Sequence, residues 1–288
     1  MTKKSPYFAL IIGVAAVSTG AVFARLADAP SLVIAAYRVG IASLILAPLA
    51  CWKAKDELLK LSGQDITLAM ISGFFLALHF AAWISSLNYT SIANSVVLVS
   101  TNPLWVALLT PFITKERIRP AAIVSIFISV VGGVIIGAGD FAAGYRALFG
   151  DFLALAGSIC AAVYLLLGRN LRRKLSLPAY IFICYSTAAL ILWCVVLSFQ
   201  MQISGFDSDT LAAFLAMAIV PQLIGHTCYN WSLKWFSTNL VAVSLLGEPV
   251  GATILGYMIF KEGLTVPKII GGMLILFAVC FAAINEKK

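Results

Sequence analysis

The sequence is poor in charge. Asp, Glu, Lys and Arg make up only 11% of its 288 residues, and the acids number just 12. A soluble domain of this size needs far more charge on its surface, so an aqueous globular fold is excluded. Histidine is scarcer still, with 2 in the chain. Two imidazoles and one mid-span acid are too few for an evident metal site. The six cysteines, Cys51, Cys160, Cys184, Cys194, Cys228 and Cys280, form no CxxC pair and lie mostly inside apolar runs, where they read as small packing residues. HExxH, Walker, GxSxG and paired-acid metal motifs are missing, so no catalytic residue is assigned and no cofactor is called for. An integral-membrane enzyme and a channel stand as minor alternatives, although nothing resembles a selectivity ring.

What fills the chain is apolar: 61% of residues are hydrophobic and the mean hydropathy is +1.00. A membrane helix needs about 20 apolar residues. Ten such runs can be drawn, at 6–25, 31–52, 66–88, 91–113, 120–138, 150–170, 178–200, 210–233, 238–260 and 267–285. They are long and lack strand-period alternation, which disfavours a membrane barrel. The longest connection, near 53–65, has only about a dozen residues, leaving no room for an aqueous domain. Lys3 and Lys4 ahead of the first run resemble a signal peptide, but nine more runs follow and the cleavage pattern is poor, so it reads as a first span. The expected fold is all-α membrane, with ten transmembrane helices.

The net charge of +8 is sided. With the N-terminus in the cytoplasm, fifteen Lys and Arg fall on the inner side, including Lys53, Lys115, Arg169, Arg172 and Lys234. Arg25, Arg146, Lys261 and Lys268 fall outside, and Arg38 lies within a span. This bias puts both termini in the cytoplasm. The basic balance is thus a topology signal, and nucleic acid is not an expected partner.

The segment Ser91–Glu116 recurs as Ser237–Glu262. Val97 falls on Val243, Pro103 on Pro249, Leu109 on Leu255, and Lys115-Glu116 on Lys261-Glu262. The copies lie on the fourth and ninth spans, a step of five, and an odd step turns the chain over. The expectation is two inverted five-helix repeats, 1–145 and 146–288, as in many secondary transporters. The stretches LNYTSIANSVVLVSTNPLWVALLTPFITKERI and FSTNLVAVSLLGEPVGATILGYMIFKEGLT resemble the signature ends of the two EamA repeats of the drug/metabolite transporter superfamily. GEPV and the closing KE carry most of that resemblance. It implies a ten-helix carrier with cytoplasmic termini. Relatives of this kind export amino acids, including aromatic ones, or move sugars, nucleotide sugars, choline or S-adenosylmethionine.

A charge at mid-helix depth costs roughly 2.5–3.5 kcal/mol on insertion scales, so each such residue needs a reason. Four residues raise the question: Arg38, His79, His226 and Glu248. Glu248 immediately precedes Pro249, whose missing N–H frees a carbonyl on the preceding turn. It reads either as an ion, proton or amine site or as a tie across a kink. Its counterpart at the repeat offset is Asn102, ahead of Pro103. Arg38, beside Tyr37, can snorkel outward, pair with Glu248 or bind a carboxylate. His79 and Trp83 share a helix face, suited either to a ring-bearing substrate or to packing. His226, Tyr229 and Asn230 form a second polar patch, expected nearer the cytoplasm. Ser95, Asn102 and Trp105 recur on one face and could line a cavity or join helices.

The expected substrate-binding residues are therefore Arg38, His79, Trp83, Asn102 and Glu248, with Tyr37, Ser95, His226 and Tyr229 as secondary candidates. One cation, one anion and aromatic surface suit a zwitterionic, amino-acid-like metabolite. The expected function is a secondary transporter in the cell (inner) membrane that exports it by alternating access, with import as the alternative. The expected partners are the small-molecule substrate, the lipid bilayer and protons, and one copy of the chain could suffice.

Overall fold

The structure is a computed structural model of the chain and describes residues 5–90, 92–115, 118–137, 145–261 and 266–285. Ser91, Glu116 and Glu262 of the repeated segment lie outside these residues, as do Lys3, Lys4, Arg117, Asp140, Lys287 and Lys288. Among the described residues there are helices and no strands.

The first expected span is two helices, α1 (Ser5–Val17) and α2 (Gly20–Leu26), separated at Ser18 and Thr19. Pro30 precedes α3 (Ser31–Lys53), and a short α4 (Lys55–Leu59) leads to α5 (Gly63–Ser86). The fourth span is again divided, into α6 (Ile92–Val99) and α7 (Asn102–Ile113), and α8 (Pro120–Gly137) follows. Next come α9 (Tyr145–Arg172) and α10 (Leu177–Ser198). The eighth span comprises α11 (Ser208–Met217), a π-helical stretch Ala218–His226 and α12 (Thr227–Ser232). The ninth is α13 (Thr238–Leu245) and α14 (Gly247–Phe260), and α15 (Val266–Ile284) ends the fold.

Local chemistry sets many of these starts. The Ser62 Oγ accepts from the Asp65 N–H at 3.1 Å, and Asp207 accepts from the Thr210 N–H at 2.8 Å. Ser176 and Ser237 cap α10 and α13 in the same way. Each satisfies an amide that a helix N-terminus would otherwise leave unpaired.

Among the described residues, seven helical segments are long and apolar enough to cross a membrane, from Pro6–Leu26 through Thr238–Phe260. Three shorter apolar helices, Asn102–Ile113, Pro120–Gly132 and Ile269–Ala282, stand where the fourth, fifth and tenth spans were expected. The surface is itself apolar: Leu44, Phe112, Leu190 and Met258 are largely exposed. Tyr164, Tyr180, Tyr185 and Asn230 are buried instead. The Asn230 Nδ2 donates to the Tyr164 and Tyr185 hydroxyls at 2.5 and 3.2 Å, and the Ser72 and Tyr180 hydroxyls meet at 2.8 Å. Polar groups inward and bare hydrocarbon outward is the arrangement lipid demands.

The repeated segment is also alike in backbone. The two divided spans break at matching places, after Val99 and after Leu245, each just ahead of a proline. Both copies end on a lysine in the left-handed conformation, Lys115 and Lys261, each with φ 58°. The Lys115 N–H bonds to the Thr110 carbonyl and the Lys261 N–H to that of Gly256.

Packing brings the halves of the chain together. α5 lies along α9, as α1 lies along the π-helical stretch and α12. α3 packs on α10, α7 on α13, and α8 on α15. Two crossings rest on glycine. A Cβ at Gly73 would stand 2.4 Å from the Cys184 carbonyl oxygen, and one at Gly132 would stand 2.7 Å from that of Gly271. Only a missing side chain lets these backbones approach so closely.

Candidate functional site

The interruptions of four spans converge on one internal cavity of about 50 Å³. α1 brings Val17, the last residue before its break. The fourth span contributes Val99, Ser100 and Asn102, the ninth Leu245 and Glu248, and the π-helical stretch His226. Pro103 and Pro249 cannot donate the helical bonds that the Val99 and Leu245 carbonyls would otherwise accept. Backbone polarity is thereby delivered to the cavity wall from both halves of the chain.

Arg38, His79, Trp83, Asn102 and Glu248 all line this cavity. The Arg38 side chain does not snorkel: the residue is 1% exposed, its Nε donates to the Gln222 Oε1 at 2.9 Å, and its guanidinium lies 4.0 Å from the Phe80 ring centroid. Arg38 and Glu248 share the cavity wall without an ion pair at the 4.0 Å limit. The cation and the anion therefore stand apart.

The His79 Nδ1 lies 2.9 Å from the Gly157 carbonyl oxygen. A carbonyl only accepts, so Nδ1 carries a proton, and in the neutral ring Nε2 is then the acceptor. The His79 and Trp83 rings are nearly parallel, 4° apart in plane with centroids 6.0 Å apart. Asn102 donates from Nδ2 to the Ser158 carbonyl at 3.2 Å. Its Oδ1 has no partner within the protein, nor do Arg38 Nη1, Trp83 Nε1, His226 Nδ1 and the Tyr229 hydroxyl. All five atoms are buried and belong to residues of the cavity wall. Unpaired buried polar atoms are costly, and five of those among the described residues gather around this one space.

Three sequence expectations need correction. His226 and Tyr229 are not a separate inner patch: both line the same cavity, and the His226 ring lies 6.4 Å from that of His79. Tyr37 is turned away from it, donating its hydroxyl to the Ile203 carbonyl at 2.6 Å and stacking on Phe214 at 4.5 Å. Ser95 is occupied elsewhere, in a 2.6 Å bond with the Ser86 hydroxyl. The heptad argument joined Ser95 to Asn102, but the helix breaks between them and the shared face is lost.

Gln222 and Tyr164 went unrecognised in the sequence. Gln222 carries no charge, and only its contact with Arg38 gives it meaning. Tyr164 lines the cavity from α9 among many apolar neighbours. A larger cleft of about 630 Å³ lies beside α1, α13, α14 and α15. Its serine and threonine hydroxyls, from Ser18, Thr19 and Ser244, are bonded to the carbonyls of Val14, Ala16 and Leu240, and most of its remaining lining is hydrocarbon.

A family model described as the EamA-like transporter family matches the chain twice, at residues 4–138 and 148–284. The chain belongs to the EamA-like transporter family. It is a multi-pass membrane protein. A protein of Clostridium kluyveri named as an uncharacterized transporter is 29% identical over 85% of this chain and 80% of its own. The uncharacterized transporter YyaM of Bacillus subtilis is 24% identical over 86% of this chain and 83% of its own. The aromatic amino acid exporter YddG of Ancylobacter novellus is 28% identical over 64% of each chain. A solved crystal structure superposes with a TM-score of 0.79 over 99% of this chain and 98% of its own, at 21% identity, a likeness of fold. Relatives and family alike are named as transporters, and none as an enzyme.

Proposed function

We propose that the chain is a secondary carrier for a small zwitterionic metabolite of amino-acid type, exporting it across the cell (inner) membrane by alternating access. The observation that carries this reading is that Arg38 and Glu248 line one cavity and yet form no direct ion pair. A buried cation and a buried anion left apart, rather than neutralising one another, suit a ligand that brings the opposite charge to each. Arg38 takes the carboxylate and Glu248 the amine or a proton. The paired rings of His79 and Trp83 offer a flat surface to the side chain, with Asn102, His226 and Tyr229 as further polar contacts. An aromatic side chain fits that surface, and one relative is named for aromatic amino acid export.

Alternating access is supported by the size of the cavity. At about 50 Å³ it is well below the usual several hundred Å³ of a ligand site, so loading requires its walls to part. The breaks in α1–α2, α6–α7 and α13–α14, with the π-helical stretch, place bendable backbone at that level in four spans. On this reading the chain forms ten spans in two inverted halves, 1–145 and 146–288, with both termini cytoplasmic. The matched breaks, the matched left-handed lysines and the reciprocal packing of the halves support the repeat. The sided distribution of Lys and Arg supports the orientation.

The test is a thermal-shift panel on the purified protein. A ligand that binds the folded form raises its melting temperature. Neutral amino acids, aromatic ones above all, should do so, while their amides and decarboxylated amines should not. A panel in which sugars or organic cations stabilise and no zwitterion does would overturn the reading.

A further inference from the structure

The strongest unexplained contact of the cavity is the one behind Arg38. Its Nε edge is held by the Gln222 Oε1 at 2.9 Å, and one face of the guanidinium is held by the Phe80 ring at 4.0 Å. Nη1 is left with no partner. Gly20 stands over the group: a Cβ there would lie 3.8 Å from Nη1 and equally far from Pro221. Gln222 is fully buried and lies outside the cavity wall, in the π-helical stretch that also carries His226. π-helical turns are rare and recur at functional sites.

Resting on the reading of Arg38 as the group that meets the ligand's carboxylate, we propose that Gln222 is its positioning residue and that its amide, unlike an acid, leaves the cation unneutralised for an anionic ligand. The ordinary partner of a buried arginine is a carboxylate, which matches the guanidinium in shape and cancels its charge. An amide oxygen satisfies the Nε hydrogen and fixes the plane of the group while adding no charge. Glu248, on the same cavity wall, makes no ion pair with Arg38. The positive charge is therefore held in place and desolvated, with no carboxylate paired to it directly. That arrangement is poor as a structural device and effective as an anion receptor, because the ligand supplies the missing charge. It also makes position 222 a determinant of specificity. An acid there would turn the Arg38 end of the cavity from a receptor for carboxylates into one indifferent to them.

The experiment is equilibrium binding of radiolabelled phenylalanine and of phenylalaninamide, which lacks the carboxylate, to the purified full chain. Melting temperatures are recorded in parallel. Gln222→Glu is expected to keep or raise the melting temperature, to weaken phenylalanine binding roughly tenfold or more, and to narrow the preference for phenylalanine over its amide. A purely structural Gln222 predicts the reverse: Gln222→Glu, the better partner for a buried arginine, would bind phenylalanine as the parent does, and that result overturns the proposal. Should Gln222→Glu fail to fold, Gln222→Met serves. It keeps the volume and removes the positioning bond, so weakened binding is expected and unchanged binding is fatal. Arg38→Gln separates the two levels. If it weakens binding and the Gln222 variants do not, the role of Gln222 alone falls. If it does not weaken binding, or the parent binds no phenylalanine, the underlying reading falls and takes this inference with it.

Discussion

The contact between Gly251 and Ser18 can be tested quantitatively. Gly251 lies on α14, three residues beyond Glu248, and Ser18 lies at the break between α1 and α2. A Cβ at position 251 would stand 2.2 Å from the Ser18 Oγ and 2.6 Å from its Cβ. Rotating the hydroxyl away is not enough, because the Cβ is itself too close. Gly251→Ala must push the two helices apart, an overpacking cost of about 1–3 kcal/mol. Alanine's higher helix propensity returns at most about 1 kcal/mol. The net expectation is a loss of roughly 1–2 kcal/mol. Ser18→Gly removes both clashing atoms, so in that background Gly251→Ala should become neutral or stabilising by up to about 1 kcal/mol. The double-mutant cycle should therefore show a coupling of about 1–3 kcal/mol. Reversible unfolding in mixed micelles, followed by circular dichroism, measures all four corners. Additive effects would refute the argument and show that α1 and α14 do not touch at this point.

Further outcomes follow from other residues. Glu248→Gln should weaken ligand binding if Glu248 meets the amine, or abolish the pH dependence of transport with binding intact if it carries a proton; unchanged binding with an unchanged pH profile would reduce Glu248 to a structural residue. Lys261 has a left-handed backbone with φ 58°, so Lys261→Gly should stabilise the end of α14 by about 1 kcal/mol, measured by unfolding, and a loss of stability would contradict that backbone. The Thr210 hydroxyl, with its N–H, holds the Asp207 carboxyl below the usual carboxylate range. A lowered folded-state value means the cap's contribution is present above the unfolded value and is lost as pH falls through the lowered one. The protection factor of the Thr210 amide, its exchange rate corrected for the intrinsic pH dependence, should therefore fall in acid, and in Asp207→Asn it should stay constant over that range.

Much of the lining of the candidate cavity was legible because hydrocarbon tolerates few polar side chains. Arg38, His79 and Glu248 had to face the interior, and the cavity at the helix breaks gathers them there. Trp83 followed from its position one turn from His79, and Asn102 from its match to Glu248. Simple helical phase failed where helices are not continuous. The break at Ser100 and Thr101 separates Ser95 from Asn102, and Tyr37, one residue from Arg38, points elsewhere. The divided spans were half visible: Pro103 and Pro249 marked two of them, while the break at Ser18 and Thr19 carries no proline. Gln222 could not be found from sequence, because an amide in an apolar run earns attention only through the cation it holds.

The central claim is that this cavity carries a zwitterion, with its carboxylate on Arg38. Proteoliposomes loaded with labelled phenylalanine test it most directly, alongside vesicles loaded with labelled phenylalaninamide. The account predicts protein-dependent efflux of the amino acid, little efflux of the amide, and loss of the difference in Arg38→Gln. Efflux of neither compound, with no uptake of any zwitterion in the opposite direction, would contradict it.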